Sequence, residues 1–164
     1  MTEQYQQASI NLMPDAAIFQ AQLGAVDVPI PGAIVTPLPL QVVTDETTLI
    51  EHAAGSSEIE FLADGIFFAQ WDVSINVASL GRKNSMTSLF LDSGAGFFPI
   101  VGTFGFGYHR NVASGRDTTS GKFRSQLVTA GTRLEVASQR ISGTGNLEFM
   151  ASSCSLLVGL VPFT

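Results

Sequence analysis

The sequence predicts an all-β fold, an antiparallel β-sandwich or a barrel, on three observations. Apolar residues alternate with a period of two, most clearly in FLADGIFFAQWDVSINV at 61–77. No window of about a dozen residues keeps the i, i+3, i+4, i+7 apolar stripe of an amphipathic helix. Turn-forming stretches such as DSGAG at 92–96 and SGTGN at 142–146 separate the alternating segments. Many short strands with turns between them are typical of a sandwich or barrel.

Nine segments are predicted as strands, in chain order. They are Ala17–Leu23, Ile34–Val43, Ser57–Phe61, Gly65–Val77, Ser85–Asp92, Phe97–Gly105, Gly121–Thr129, Arg133–Ile141 and Leu147–Phe163. The connections predicted as loops are 27–32, 78–84, 92–96, 112–121, 129–132 and 142–146. No internal repeat is visible, which argues against a solenoid or a propeller.

The composition favours a protein whose surface is partly covered by other protein. Of the 164 residues, 13% are charged and 45% are hydrophobic, whereas ordinary soluble domains carry about 25% charged residues. The net charge of −6, the pI near 4.7 and the lack of a dense Lys/Arg run argue against a nucleic-acid partner. All ten acidic residues up to Asp72 precede the first basic residue, Arg82. This split fits both complementary patches on neighbouring subunits and scattered solvated charge.

The single cysteine, the N-terminal stretch and the lengths of the apolar runs indicate the compartment in which the protein is made. Cys154 cannot form an intrachain disulfide, and its apolar strand predicts a small buried side chain. The N-terminal stretch lacks the basic and apolar regions of a Sec signal, and no stretch reaches the roughly 20 apolar residues that span a bilayer. We therefore expect synthesis in a host cytoplasm and no membrane partner. Residues 1–15 are predicted to form an arm outside the core, and residues 16–164 the folded domain.

Two predicted strands are apolar on both faces. In 61–77 the odd positions stay apolar throughout, whereas the even positions turn polar after Phe68. The two faces of the last strand carry, in turn, Leu156, Val158 and Leu160, and Leu157, Val161 and Phe163. Fully burying one such side chain is worth roughly 1.5–3 kcal/mol. Because no crossover helix is predicted to cover a second face, we expect another subunit to cover it.

The sequence offers little catalytic or metal chemistry. His52 and His109 are the only histidines, and with one cysteine they supply too few ligands for a zinc site. A Ser/His/Asp triad has no G-x-S-x-G segment to support it, so we predict no catalytic residue and no cofactor. Both histidines are interpreted as loop residues. Asp45, Glu46 and Glu51 surround a turn, match no EF-hand spacing and are interpreted as solvated acids.

The segment GTFGFGYHR at 102–110 places Phe104, Phe106 and Tyr108 on one parity of a predicted strand. Its glycines do not form a dinucleotide fingerprint, because no helix is predicted to follow. The favoured interpretation is that the three aromatic side chains face the core or a trimer axis. The alternative is a surface that stacks on sugars.

The stretch 111–121 is the best candidate for an exposed binding loop. The charged residues in and beside it are Arg110, Arg116, Asp117 and Lys122. Loops at one end of a sandwich are common binding sites, and an ordinary connector has the same composition.

Four segments resemble the C1q/TNF-like jelly rolls, and the resemblance covers residues 16–163. They are AIFQAQL (17–23), EIEFLADGIFFAQWDVSINV (58–77), LVTAGTRLEV (127–136) and SSCSLLVGLV (152–161). Gly65, Phe67 and Phe68 fall on the family's Gly-x-aromatic-aromatic core. The sequence departs from the family where Asp64 replaces a usual Pro, Ala69 a usual aromatic residue and Leu156 a usual Gly. The resemblance implies a jelly roll of about ten strands that forms a homotrimer around a three-fold axis.

The function expected from this resemblance is structural. With no G-X-Y stalk and no signal peptide, a secreted animal ligand is disfavoured, whereas jelly rolls of this type also form trimeric heads on virus particles. We expect a non-enzymatic capsid decoration protein of a bacteriophage, on the virion surface, bound to the major capsid protein or another virion protein. The alternative is a receptor-binding head of a tail fibre or spike that holds a host receptor or glycan, and a third reading is a β-sandwich hydrolase.

Two groups of residues are expected to make these contacts. At the trimer interface we expect Phe68, Phe104, Phe106, Tyr108, Leu157, Val161 and Phe163. From the arm, we expect Tyr5, Ile10 and Leu12 to contact the capsid.

Overall fold

The computed structural model describes residues 16–110 and 116–163. Within these ranges the chain forms thirteen β-strands and no helix. All strand pairs are antiparallel and belong to two sheets, so the predicted all-β antiparallel sandwich is confirmed. The described residues therefore include no helix that could cross a membrane.

The strands are numbered in chain order. They are β1 (Ala17–Gln22), β2 (Val28–Ile30), β3 (Thr36–Pro37), β4 (Val42–Asp45), β5 (Ile50–His52), β6 (Ile59–Phe61), β7 (Gly65–Val77), β8 (Lys83–Asp92), β9 (Phe98–Pro99), β10 (Gly105–His109), β11 (Asp117–Val128), β12 (Arg133–Gly143) and β13 (Leu147–Pro162). Sheet A has the order β11-β7-β13-β1-β4, with β2 beside β13. Sheet B has the order β10-β8-β12-β6-β5, with β3 beside β12 and β9 beside β8.

The core lies between the two sheets, and the odd face of β7 forms much of it. Phe67 and Val73 of β7 are fully buried and belong to one apolar cluster with Leu89 and Leu134 of sheet B. The predicted strand Gly65–Val77 is confirmed with its bounds. Cys154 is also buried in this cluster, as predicted.

A glycine allows β11 to pass the largest core side chain. A Cβ atom on Gly121 would lie well inside 3.0 Å of the Trp71 ring. Gly121 pairs directly with Trp71 in the β7–β11 ladder. The indole of Trp71, only 2% exposed, therefore fills the space that a side chain at position 121 would need.

Two predicted strands are wrong as single elements. The predicted strand 34–43 is divided into β3 and β4, because Pro37 and Pro39 remove backbone donors that a continuous ladder needs. The predicted strand 97–105 is divided into β9 and the start of β10. Between them Gly102 has a φ of 88°, a left-handed conformation that ends the strand.

Three strands were predicted partly or wholly as loop. The three-residue β2 lies in DVPIPG at 27–32, whose two prolines favour a loop over a strand. β5 contains His52 and lies in a turn-like segment outside every predicted strand. β11 begins at Asp117, inside the predicted loop 112–121. The residues TTSG show no apolar alternation, so the sequence does not indicate a strand there.

The sandwich has two distinct ends. At the lower end Gly65 pairs with both Val128 and Pro162. At the upper end Val77 pairs with Leu147, and a short loop then leads to β8. β1 begins at Ala17 opposite Leu160, so the chain enters the sandwich at the lower end.

Candidate functional site: two apolar side surfaces

The outward face of sheet A is apolar in its lower half. Opposite the core, the register places Phe68 beside Gly159 and Ile66 beside Val161. Ile18 lies on the other side of Gly159. We call this surface the apolar face; its members are Ile18, Ile66, Phe68, Leu157 and Val161. Ile18 belongs to β1. The other four are the even positions of β7 and the odd positions of β13 that form the second apolar side indicated by the sequence.

The Phe68 ring lies across the apolar face on top of Gly159. A Cβ atom on Gly159 would lie well inside 3.0 Å of the ring atoms of Phe68. Leu157 is only 8% exposed, so one chain already covers it. The apolar surface left for a partner is therefore smaller than the sequence indicates, and its centre is the half-buried Phe68.

The upper half of the same outward face is polar, and its side chains form hydrogen bonds with one another. The Ser120 hydroxyl donates to the Asp72 carboxylate at 2.5 Å. The Asn76 side-chain amide donates to the Glu148 carboxylate at 3.1 Å. These hydrogen bonds join neighbouring strands of sheet A, so this half of the face needs no partner to satisfy it.

A second apolar surface lies at the side of the sandwich. β10 pairs only with the upper half of β8. At the lower half of β8, where β9 pairs, the side of the sandwich between β9 and β11 is therefore open. Two adjoining cavities, of about 380 and 460 Å³, lie in this opening and share Leu91, Ser93 and Gln126. We call this surface the open edge; its most exposed apolar members are Phe98, Val101, Leu127 and Phe163, from 58% to 87% exposed.

The aromatic residues near β10 are on the outer surface. Phe104, Phe106 and Tyr108 are 41%, 67% and 48% exposed. The interpretation that they face the core is wrong, because Gly105 and Gly107 occupy inward positions of β10. A side chain at Gly105 would collide with Thr119 of β11, so the close approach of β10 and β11 requires glycine there. Their contact with a trimer partner stays a prediction, as does the alternative of sugar stacking.

The structure separates the residues of the predicted binding loop. Arg110 and Arg116 flank the internal stretch that is not described, and both are exposed. The loop assignment is wrong for Asp117, which begins β11, whereas Lys122 lies on β11 within the predicted strand Gly121–Thr129. The Asp117 carboxylate accepts the backbone N–H of Tyr108 at 2.9 Å and so fixes the start of β11 to β10. The arm residues Tyr5, Ile10 and Leu12 lie outside the described residues.

The two histidines lie on strands at opposite edges of sheet B, so their interpretation as loop residues is wrong. His109 is fully buried, and its Nε2 atom lies 2.9 Å from the Ser85 hydroxyl. His52 Nε2 lies 3.1 Å from the Ser56 carbonyl oxygen. No motif in the sequence predicts the contact between Ser85 and His109, and both side chains are closed to solvent.

Acidic residues gather toward the lower end without forming a metal site. Asp45, Glu46 and Glu51 are exposed, as interpreted from the sequence. Across residues 16–110 and 116–163, no three His, Cys, Asp or Glu side chains are arranged to hold a metal ion.

A charged network covers the outer face of sheet B near the lower end. The Arg133 guanidinium forms ion pairs with Glu58, at 2.7 Å, and with Asp92. Backbone donation from Gly94 and the bond from Arg133 lower the pKa of Asp92. Burial, followed by the nearby Glu58 carboxylate, raises the pKa of Glu135 to about 7. Glu135 is 5% exposed, so a neutral carboxyl is the less costly form there.

The sheet order, the register and the closed core define the fold as a C1q/TNF-like jelly roll, as the resemblance implies. The structure of murine APRIL is similar, with a TM-score of 0.60 and 10% identity over 88% of this chain and 98% of that one. The globular domain of zebrafish complement 1qA gives 0.54 and 12% identity over 89% and 96%. Eiger TNF from S. frugiperda gives 0.53 and 11% identity over 91% and 93%. No protein-family model and no curated protein sequence matches the chain, so the likeness rests on the fold.

Proposed function

We propose that this chain is a non-enzymatic structural protein that forms homotrimers on the surface of a virus particle, as a capsid decoration protein of a bacteriophage. The observation that carries the proposal is the pair of apolar surfaces on adjacent sides of one subunit. The apolar face is a flat sheet surface centred on Phe68, whereas the open edge is concave and lined by Phe98 and Val101. Two different surfaces fit a head-to-tail contact, and a head-to-tail contact that closes makes a ring.

The geometry of the two surfaces supports a ring whose axis runs along the strands. They meet near the lower end of β11, where Leu127 pairs with Ile66 of the apolar face and also lines the open edge. Both surfaces extend parallel to the strands, so repeated face-to-edge contacts keep every copy pointing the same way. Three copies are the number that the jelly-roll resemblance implies.

The proposed position of the protein on the virus particle rests on an analogy with the trimeric jelly-roll heads of viruses and on the end at which the chain enters the sandwich. The arm at residues 1–15 directly precedes β1, which enters at the lower end. In the trimer, three arms therefore leave the same end. Three weak arm contacts to capsid subunits act together with an avidity far above that of one contact.

A matched pair of variants tests the trimer and its attachment. Leu127→Glu places a charge where both surfaces meet. Val26→Glu places one on the connection between β1 and β2, which belongs to neither surface. The two side chains are 67% and 68% exposed. We expect Leu127→Glu to give folded monomers that do not attach to particles, and Val26→Glu to behave as the unmodified protein. Trimers from both variants would contradict the proposed surfaces.

Imaging the particle that carries the protein tests the location. Many trimers on the shell, each with its lower end against the capsid, are expected for decoration. The exposed β10 aromatics, above all Phe106, favour a second candidate, a receptor-binding head of a tail fibre or spike that stacks on sugars. A few copies at the tail alone would overturn decoration and support that candidate.

A further inference from the structure

The upper end of the sandwich gathers exposed arginines at one corner. The β8–β10 ladder ends with the pair Lys83 and His109. Arg82 immediately precedes Lys83, and Arg110 immediately follows His109, so the two arginines leave the sheet side by side. Both are exposed. Arg116 joins them, because the following residue is tied to β10 by the hydrogen bond from the Tyr108 N–H. We call these three residues the arginine corner.

The loop that carries Arg82 is held in one shape by a buried lysine. Lys83 is 1% exposed, and its Nζ donates to the carbonyls of Ser79, Leu80 and Gly81 at 2.6, 3.2 and 3.3 Å. Three backbone oxygens, all from loop 78–82, thus surround one ammonium group. Arg82 of the arginine corner therefore stands on a loop that these hydrogen bonds hold in place.

A second loop packs against the first and adds positive charge. A Cβ atom on Gly143, whose φ is 84°, would lie well inside 3.0 Å of the Arg82 carbonyl oxygen. The neighbouring strand carries Arg140, which donates to the Gly145 carbonyl. The β8–β12 register pairs Gly143 with Lys83 and Arg140 with Ser85, so Arg140 lies near Lys83. Burial, followed by the charge of Arg140, lowers the pKa of Lys83. The upper end therefore concentrates positive charge in a chain whose net charge is −6.

The lower end has the opposite charge among the described residues. Its acids and those just above it are Asp45, Glu46, Glu51, Glu58, Glu60, Asp64 and Asp92. The base among them is Arg133, which is paired with two of these carboxylates. The acids near the upper end, Asp27, Asp117 and Glu148, each accept a hydrogen bond within the chain. The two ends of the sandwich thus carry opposite charge. In the sequence, the same residues show only that acids prevail before Arg82 and bases after it.

We propose that the upper end is a docking surface for an acidic polysaccharide. The inference rests on the trimer of the proposed function, because cyclic symmetry then places three arginine corners together at the end opposite the arms. Guanidinium groups bind carboxylate and sulfate groups through paired hydrogen bonds. A polymer with repeated anionic groups can contact three corners at once, which multiplies weak single contacts. The protein would thus hold the particle by its acidic end and a cell-surface glycan by its basic end.

Binding to immobilised polysaccharides tests this inference. The probes are polygalacturonate and dextran sulfate, with neutral dextran and polyglutamate for comparison, in about 50 mM salt. We expect the trimer to bind both acidic polysaccharides and not neutral dextran. Arg82→Gln with Arg116→Gln should weaken binding about tenfold. The matched control, Lys122→Gln with Arg124→Gln, makes the same charge change in the middle of β11 and should bind as the unmodified protein.

Several results would overturn the inference. Equal losses in the two double variants would assign binding to overall charge, and binding to polyglutamate alone would point to an acidic protein. The mass of each sample is measured beside its binding. A trimer that binds no acidic polysaccharide overturns this inference alone, whereas a monomer overturns the proposed function and the multivalent docking that depends on it.

Discussion

Replacing Gly159 with Ala should destabilise the protein by displacing Phe68 from the apolar face. Gly159 has an extended backbone that any residue adopts, so the expected cost comes from the collision of the new methyl group with the Phe68 ring. Overpacking of this kind typically costs about 1–3 kcal/mol. Turning the ring outward to avoid it would lose part of the roughly 1.5–3 kcal/mol that a buried Phe contributes. We therefore expect a loss of about 1–3 kcal/mol in the free energy of unfolding, measured by urea titration.

The same substitution in a Phe68→Ala background separates this collision from any other effect. Without the ring, the space above position 159 is free, and Gly159→Ala should then change the free energy of unfolding by less than about 0.5 kcal/mol. The double-mutant cycle thus gives a coupling energy close to the full cost. Equal costs in the two backgrounds would refute the contact between Phe68 and Gly159.

Three other substitutions test separate parts of the sandwich. Gly121→Ala should cost about 1–3 kcal/mol in urea unfolding, because its methyl group would overlap the Trp71 ring; an unchanged midpoint would contradict that packing. Lys83→Met should cost about 1–3 kcal/mol and speed amide exchange in loop 78–82, because three loop carbonyls lose their donor; unaltered exchange would contradict it. Glu135→Gln tests the pKa raised to about 7. The unfolded carboxyl ionises near 4.5 and the folded one near 7, so this group lowers the stability of the unmodified protein progressively as the pH rises through that window. The variant should gain about 2–3 kcal/mol on the unmodified protein at about pH 8 and little at about pH 4, whereas a pH-independent difference would contradict the shift.

Periodicity in the sequence predicts the parts of the fold that depend on one strand alone. The odd face of β7 is buried from Phe67 to Val77, and the two faces of β13 separate Leu156 from Leu157 as the alternation indicates. The switch after Phe68 from apolar to polar on the even face corresponds to two halves of the outward surface of sheet A. These features are local, so a period of two is enough to find them.

The features that depend on pairing between distant strands could not be predicted. The open edge exists because β10 covers half of β8, and in the sequence Val101 and Leu127 look like ordinary apolar residues. The contact of Phe68 with Gly159 depends on the β7–β13 register, which alternation alone does not fix. Lys83 is a charged residue buried by the carbonyls of its own loop, an arrangement without a pattern in the sequence.

The same limit applies to the candidate site. Of the residues expected at a trimer interface, Phe68, Leu157 and Val161 lie together on the apolar face and Phe163 lies beside it on the open edge. Phe104, Phe106 and Tyr108 lie instead on the outer surface of the neighbouring sheet. Parity shows that these three share a face and does not show which face it is.

Sedimentation equilibrium of the unmodified protein over a wide concentration range tests the central claim most directly. The claim is that one copy leaves two apolar side surfaces that only other copies cover. It predicts a single species of about 52 kDa, three times the subunit mass of 17.4 kDa, down to low concentration. A folded species of 17.4 kDa that persists at high concentration would contradict it.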